Sequence, residues 1–280
     1  MHFPSPLEAC ELLLGGTPDR IETLVAWSDH RAYGVEMSGA VFVVKVDADA
    51  ELIEREVAGH RRAATAGIPV PELVAVAENC MATRFVVGTA LTERSSEAAW
   101  RAAGGALRKV HDLAPASLIG NGFDLLCTAW PDFVAALLAR ELDGCVRQLA
   151  FDPNQAERIR RAFDEAGSRL ERRPIAWCHG DCQPEHVILD LHDDSIVAII
   201  DWADHGKADP MWDLAVVSLD DTAHLDALLE GHGGADDDVR SVMSLYRVLR
   251  WLGESRWLAA RSHPGAAVSL ERAATWSAPD

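Results

Sequence analysis

The rhythm of hydrophobic and polar positions changes about a third of the way along the chain. The early residues carry short β-branched or alternating runs. IETLVAW (21–27), AYGVEM (32–37) and AVFVVKV (40–46) predict strands, and SG at 38–39 makes a turn between the last two. Residues 50–67 then repeat at helical spacing, with Leu52, Val57 and Ala64 available for one face and Gly67 as the stop. IPVPELVAVA (68–77) returns to extended chain, and NCMATRFVVGTAL (79–91) reads as one more strand followed by a short linker.

From about residue 93 the pattern predicts long helices over 97–112, 130–150, 154–171, 222–230 and 237–260. A strand–turn–strand unit, VILDLHDDSIVAII, interrupts them at 187–200. Strands first and helices afterwards predict an α+β chain with two unequal lobes, 1–91 and 92–280, and a ligand cleft between such lobes.

Charge narrows the partners. The 280 residues are 49% hydrophobic, enough for a sizeable core, and carry a formal net charge of −18. Such a surface repels nucleic acid and anionic lipid and draws cationic ligands, although solubility alone also accounts for acidity. The first residues lack a basic leader, and no window offers the roughly 20 apolar residues of a membrane helix. Cysteines 10, 80, 127, 145, 178 and 182 are scattered and read as reduced thiols of a cytoplasmic protein. A monomer or a homodimer fits equally well.

The chemistry concentrates in CHGDCQPEHVILD (178–190). Cys178, His179, Cys182 and His186 are feasible zinc ligands, but the sequence offers no second Cys/His pair, and adjacent ligands on extended chain point to opposite faces. A catalytic loop accounts for more residues. Asp181 precedes an apolar hairpin that ends at IIDW and delivers a second acid, Asp201. One acid can accept the proton of an attacking hydroxyl while the other holds Mg²⁺ on a triphosphate. Asp209 and Asp213, in ADHGKADPMWDLA, are placed to brace the loop through backbone N–H groups.

HGDCQPEH followed by IIDWADHGKADPMWDLA resembles the aminoglycoside phosphotransferase family, whose members share the bilobal protein-kinase-like fold. The family pattern is H-G-D-x-x-x-x-N, then I-D-W/F and D-P-x-x-D-L. The resemblance reaches the first lobe. VFVVKV places Lys45 as the phosphate-binding lysine, and LIEREVAGHRRAATAG places Glu56 as the glutamate that pairs with it. CMATRFVVGTAL, with Thr83, Arg84 and Phe85, matches the strand and hinge against which a purine lies, and ALRKVHDL matches a helix supporting the active site. The resemblance implies ATP or GTP with Mg²⁺ as cofactors, Asp181 as catalytic base, Asp201 as metal ligand, and His179, Asp209 and Asp213 as structural support.

Two departures stand out. The family's asparagine is His186 here, a softer ligand for Mg²⁺, and macrolide phosphotransferases of the same family share that histidine. AWSDHRAYGV replaces a glycine-rich phosphate loop and leaves Ser28 as the candidate for a phosphate contact.

The resemblance implies an acceptor bound by the helical lobe. Much of the acid excess lies beyond the hairpin, at Asp204, Asp220, Asp221, Asp226, Glu230 and Asp236 to Asp238. Trp251 and Glu254 share a helix face, as do Glu254 and Trp257, so two indoles framing an acid could hold a cation; core packing is the plainer reading of both indoles. The expected acceptor is a small cationic antibiotic, an aminoglycoside or a basic peptide. A macrolide, a small metabolite, a non-catalytic nucleotide-binding protein and a zinc protein are the other readings.

Overall fold

The computed structural model describes residues 4–27, 29–115, 127 and 129–278. The chain divides into two compact units. The first comprises 1–99 and 185–205, the second 100–184 and 206–280. The 187–200 hairpin, placed by sequence order in the helical half, thus belongs with the strands of the first unit.

Helix α1 (Pro6–Leu14) opens the first unit with a capping box, in which Ser5 and Glu8 satisfy each other's backbone N–H groups, and ends at left-handed Gly15. Strands β1 (Arg20–Ala26), β2 (His30–Met37), β3 (Ala40–Asp47), β4 (Leu73–Ala77) and β5 (Cys80–Arg84) form an antiparallel sheet in the order β1-β2-β3-β5-β4. Alternation along β3 sends Phe42, Val44 and Val46 into the core with Cys10 and Leu13 of α1. Lys45 and Val43 therefore stand on the other face.

Helix α2 (Ala50–Thr65) buries Ile53, Glu56, Val57 and Gly59. Strands β6 (Thr89–Ala90), β8 (Val187–Leu189) and β9 (Ile196–Ile199) make a second small sheet. Gly59 is required by proximity: a Cβ there would lie 2.4 Å from a ring carbon of His205 and 2.9 Å from Cβ of Trp202. The short 3₁₀ turn Trp202–Asp204, which follows Asp201, is thus pressed against α2 beside Glu56.

The second unit is mainly helical: most of α3 (Glu97–His111), then α4 (Trp130–Gln148), α5 (Pro153–Glu165), α6 (Gly167–Glu171), α7 (Pro210–Val217), α8 (Leu225–His232), α9 (Asp237–Ala260) and α10 (Gly265–Thr275). The expected single helix over 154–171 is two, divided at Ala166. Strands β7 (Ala176–Cys178) and β10 (Gly206–Ala208) pair antiparallel. Trp130, Trp212 and Tyr246 pack edge to face around the core, with ring centroids 5.6–5.9 Å apart.

Candidate functional site

Lys45 on β3 donates from Nζ to Glu56 of α2 at 2.5 Å and lies 3.1 Å from Asp201. Burial opposes the lysine's charge, but Asp201 and Glu56 overcome that and hold the ammonium above the ordinary lysine range. Burial would likewise raise the Asp201 carboxyl, yet Lys45, His186 and His30 pull it well below its usual range. Burial pushes Glu56 up, and Lys45 opposes that push. His186 Nε2 lies 3.5 Å from the second oxygen of Asp201.

The sequence thus brings four predicted residues from β3, α2 and the two ends of the hairpin into one cluster. Asp201 itself adopts the left-handed conformation, φ 67° and ψ 63°. Its carboxylate is a hard oxygen donor suited to Mg²⁺, and the neighbouring imidazole stands where an amide oxygen was expected.

Thr83 on β5 sits opposite Val43, on the Lys45 face of the sheet. Arg84 does not: its guanidinium lies over Phe42 at 4.8 Å and toward Glu72 at 3.5 Å, so its side chain turns away from Lys45. Phe85 is 45% exposed, and its N–H donates to Val41 at 3.0 Å. Ser28 lies outside the described residues. Asp204 faces Arg55 of α2 at 3.8 Å.

The second unit holds the loop that ends β7. Asp213 of α7 accepts from the N–H groups of His179 at 2.7 Å and Gly180 at 2.8 Å, which is the bracing read from the sequence. Trp212 Nε1 donates to the carbonyl of Gly180 at 2.8 Å. Gly180 has φ 90°, a conformation that costs glycine little and that L side chains rarely adopt. These bonds fix the two residues that lead into Asp181. The Asp181 N–H donates to Nδ1 of His179 at 3.4 Å, and its carboxylate accepts from Gln183 at 3.0 Å and Arg250 at 2.5 Å.

Asp209 caps α7 through the Met211 N–H at 3.0 Å. It also accepts from Arg173 at 2.7 Å and from the Tyr246 hydroxyl at 3.0 Å, so it anchors the helix carrying Asp213 rather than touching the loop.

Behind Asp213 lies a pair that the sequence did not single out. His111, at the end of α3, bonds Asp213 through Nε2 at 2.9 Å and His232 of α8 through Nδ1 at 2.8 Å. Burial would raise Asp213, but His111 and the loop's N–H groups hold it below its ordinary value.

His111, Cys178 and Asp213 are close enough together to suggest a metal centre. Their bonding argues otherwise. Both His111 nitrogens are engaged, Asp213 is filled by N–H groups, and burial pushes the Cys178 thiol well up, away from the thiolate a metal needs. Of the four ligands considered from sequence, Cys178, His179 and Cys182 are fully buried in the second unit, and His186 of the first unit faces Asp201.

The acids expected to meet a cation have partners within the chain. Asp220 pairs with Arg272, Asp226 with Arg240 at 2.7 Å and Glu230 with Arg101 at 2.8 Å. Glu254 accepts from Ser269 of α10 at 2.6 Å, and the Trp257 ring is covered by Arg261 at 4.0 Å. The Trp251 Nε1 is buried without a partner.

The first unit holds a lysine–glutamate pair beside an aspartate, the second a braced His-Gly-Asp loop, and the fold is the protein-kinase-like one of kinase-type phosphotransferases. The chain belongs to the phosphotransferase enzyme family APH, whose model matches residues 22–252. Solved structures agree in fold. The macrolide 2'-phosphotransferase MphH from Brachybacterium faecium is 18% identical, with TM-score 0.68 over 99% of this chain and 100% of its own. A choline/ethanolamine kinase family protein from Mesorhizobium loti is 20% identical, with TM-score 0.69 over 91% and 85%. APH(2")-IIa in its gentamicin complex is 14% identical, with TM-score 0.74 over 99% and 98%. A search of curated proteins found no match. Among the described residues, no helix is long and apolar enough to cross a membrane.

Proposed function

We propose that the protein transfers the γ-phosphoryl group of ATP or GTP to a hydroxyl of a small molecule, antibiotics included. The observation carrying this reading is the Lys45–Glu56–Asp201 cluster, with Nζ at 2.5 Å and 3.1 Å from its two carboxylates. Lys45, held by Glu56, binds α- and β-phosphate oxygens. Asp201, with His186 beside it, would hold Mg²⁺, which when bound supplies charge neutralisation on the triphosphate.

Asp181 orients the acceptor hydroxyl and takes its proton. A bond forms between the acceptor oxygen and the γ-phosphorus, the bond from that phosphorus to the β–γ bridging oxygen breaks, and the nucleoside diphosphate leaves. Such a loose transition state needs positioning more than a strong base, and the bonds to Asp213 and Trp212 supply that positioning.

The test is nucleotide turnover across a panel of aminoglycosides, basic peptides, macrolides and hydroxylated metabolites, with product mass read out. Asp181→Asn should lower turnover by about two to four orders of magnitude while leaving ADP binding intact. Asp201→Asn should also weaken metal-dependent nucleotide binding. Phosphorylated product from Asp181→Asn at the native rate would end the assignment.

A further inference from the structure

The acid proposed to accept the proton already has a cation on it. Arg250, from the middle of α9, donates from Nη2 to Asp181 Oδ1 at 2.5 Å, and Gln183 occupies Oδ2 at 3.0 Å. The Arg250 side chain is 15% exposed, and its Nε is buried with no partner. We infer that Arg250 selects the acceptor: it takes a carboxylate carried by the molecule whose hydroxyl reacts at Asp181. This rests on the phosphotransfer reading and deepens it.

The argument is one of donors and charge. A hydroxyl bound to Asp181 shares that carboxylate with Arg250 and Gln183, so the acceptor comes up against the guanidinium. A guanidinium in that mostly covered position, with its Nε–H unsatisfied, gains from a second anion beside Asp181. A carboxylate matches the guanidinium fork in two parallel bonds. A polycation instead brings like charge against Arg250, which opposes its binding there.

Four acids of the second unit are already engaged. Asp220, Asp226, Glu230 and Glu254 are each bonded within the chain.

Calorimetric titration of the full chain in the presence of ADP tests the inference with matched probes: gluconate against glucitol, glycerate against glycerol, and tobramycin as the polycation. The native protein should bind each hydroxy acid about tenfold or more tightly than its neutral counterpart, and more tightly than tobramycin. Arg250→Gln should erase that preference, and Arg250→Lys should keep part of it. Equal affinity within each pair, tobramycin binding tightest, no detectable hydroxy-acid binding, or a preference that survives Arg250→Gln would each overturn the inference. Failure of the phosphotransfer reading shows elsewhere, as absent ADP binding and absent nucleotide turnover in the native chain.

Discussion

His232 Nε2 meets His111 Nδ1 at 2.8 Å, and His111 in turn meets Asp213 at 2.9 Å, so two imidazoles stand behind the bonds that shape the Asp181 loop. With Asp213 ionised and accepting, Nε2 of His111 donates; for a neutral ring, Nδ1 then accepts from His232. The pair thereby fixes a tautomer as well as a position.

Acid should expose this arrangement. Burial, His111 and Arg108 push His232 down from 6.5 to about 4, against the pull of Asp213 and Asp112. The unfolded chain takes up that proton before the folded one does, so stability is complete above pH 6.5 and falls as pH drops toward 4. The loss reaches about 3 kcal/mol at most. Urea midpoints between pH 7 and 4 measure it, and His232→Gln, which keeps a donor without the titration, should flatten that part of the profile.

The Arg173–Asp209 pair is the second place where one change should be costly. Asp209 is fully buried and already serves α7 and Tyr246. Arg173→Ala strands that carboxylate and should cost about 3 to 5 kcal/mol, read from chemical denaturation. Asp209→Asn with Arg173→Met should recover much of the loss; a double variant no more stable than Arg173→Ala would show that the ion pair is not the cause.

Helix α2 offers a steric test. An alanine at Gly59 puts its Cβ against Trp202 and His205, and overpacking of this kind costs about 1 to 3 kcal/mol. Because α2 carries Glu56 and the turn follows Asp201, ADP affinity should fall together with stability. Unchanged affinity in a measurably destabilised protein would uncouple the helix from the nucleotide.

Within the cluster, Lys45→Met and Glu56→Gln should separate. The first removes the proposed phosphate contact outright and should raise the KM for nucleotide by about ten- to a hundredfold or more. The second keeps the lysine but loosens it, and should act more weakly on the same constant. Equal effects on KM would make the pair a single structural unit instead.

Sequence rhythm anticipated β3 and α2 because each has one buried and one wetter face, which periodicity reports, whereas β1 was legible from its β-branched run although none of its residues is buried. Helix α7 escaped it: all eight residues of PMWDLAVV are buried, so no polar stripe marks the period. Helix α1 carries a legible start signal in Ser5 and Glu8, the two partners of its capping box. The residues around the site divide the same way. Lys45, Glu56, Asp181, Asp201 and Asp213 sit in spaced motifs, whereas Arg250 is one arginine among several in a long helix and His232 belongs to no motif. Their roles arise from contacts 69 and 121 residues apart in sequence. Arg84 shows the converse, since the motif located the strand but strand alternation turned the side chain away.

The backbone at Asp201 narrows what evolution can do there. Among L-residues other than glycine, asparagine and aspartate enter the left-handed region most readily, and only one of them carries the charge that meets Lys45. Conformation and electrostatics therefore select the same side chain for unrelated reasons. A lineage abandoning catalysis would find asparagine the easiest exit, and its descendants would keep the fold of the hairpin while losing the chemistry it carries.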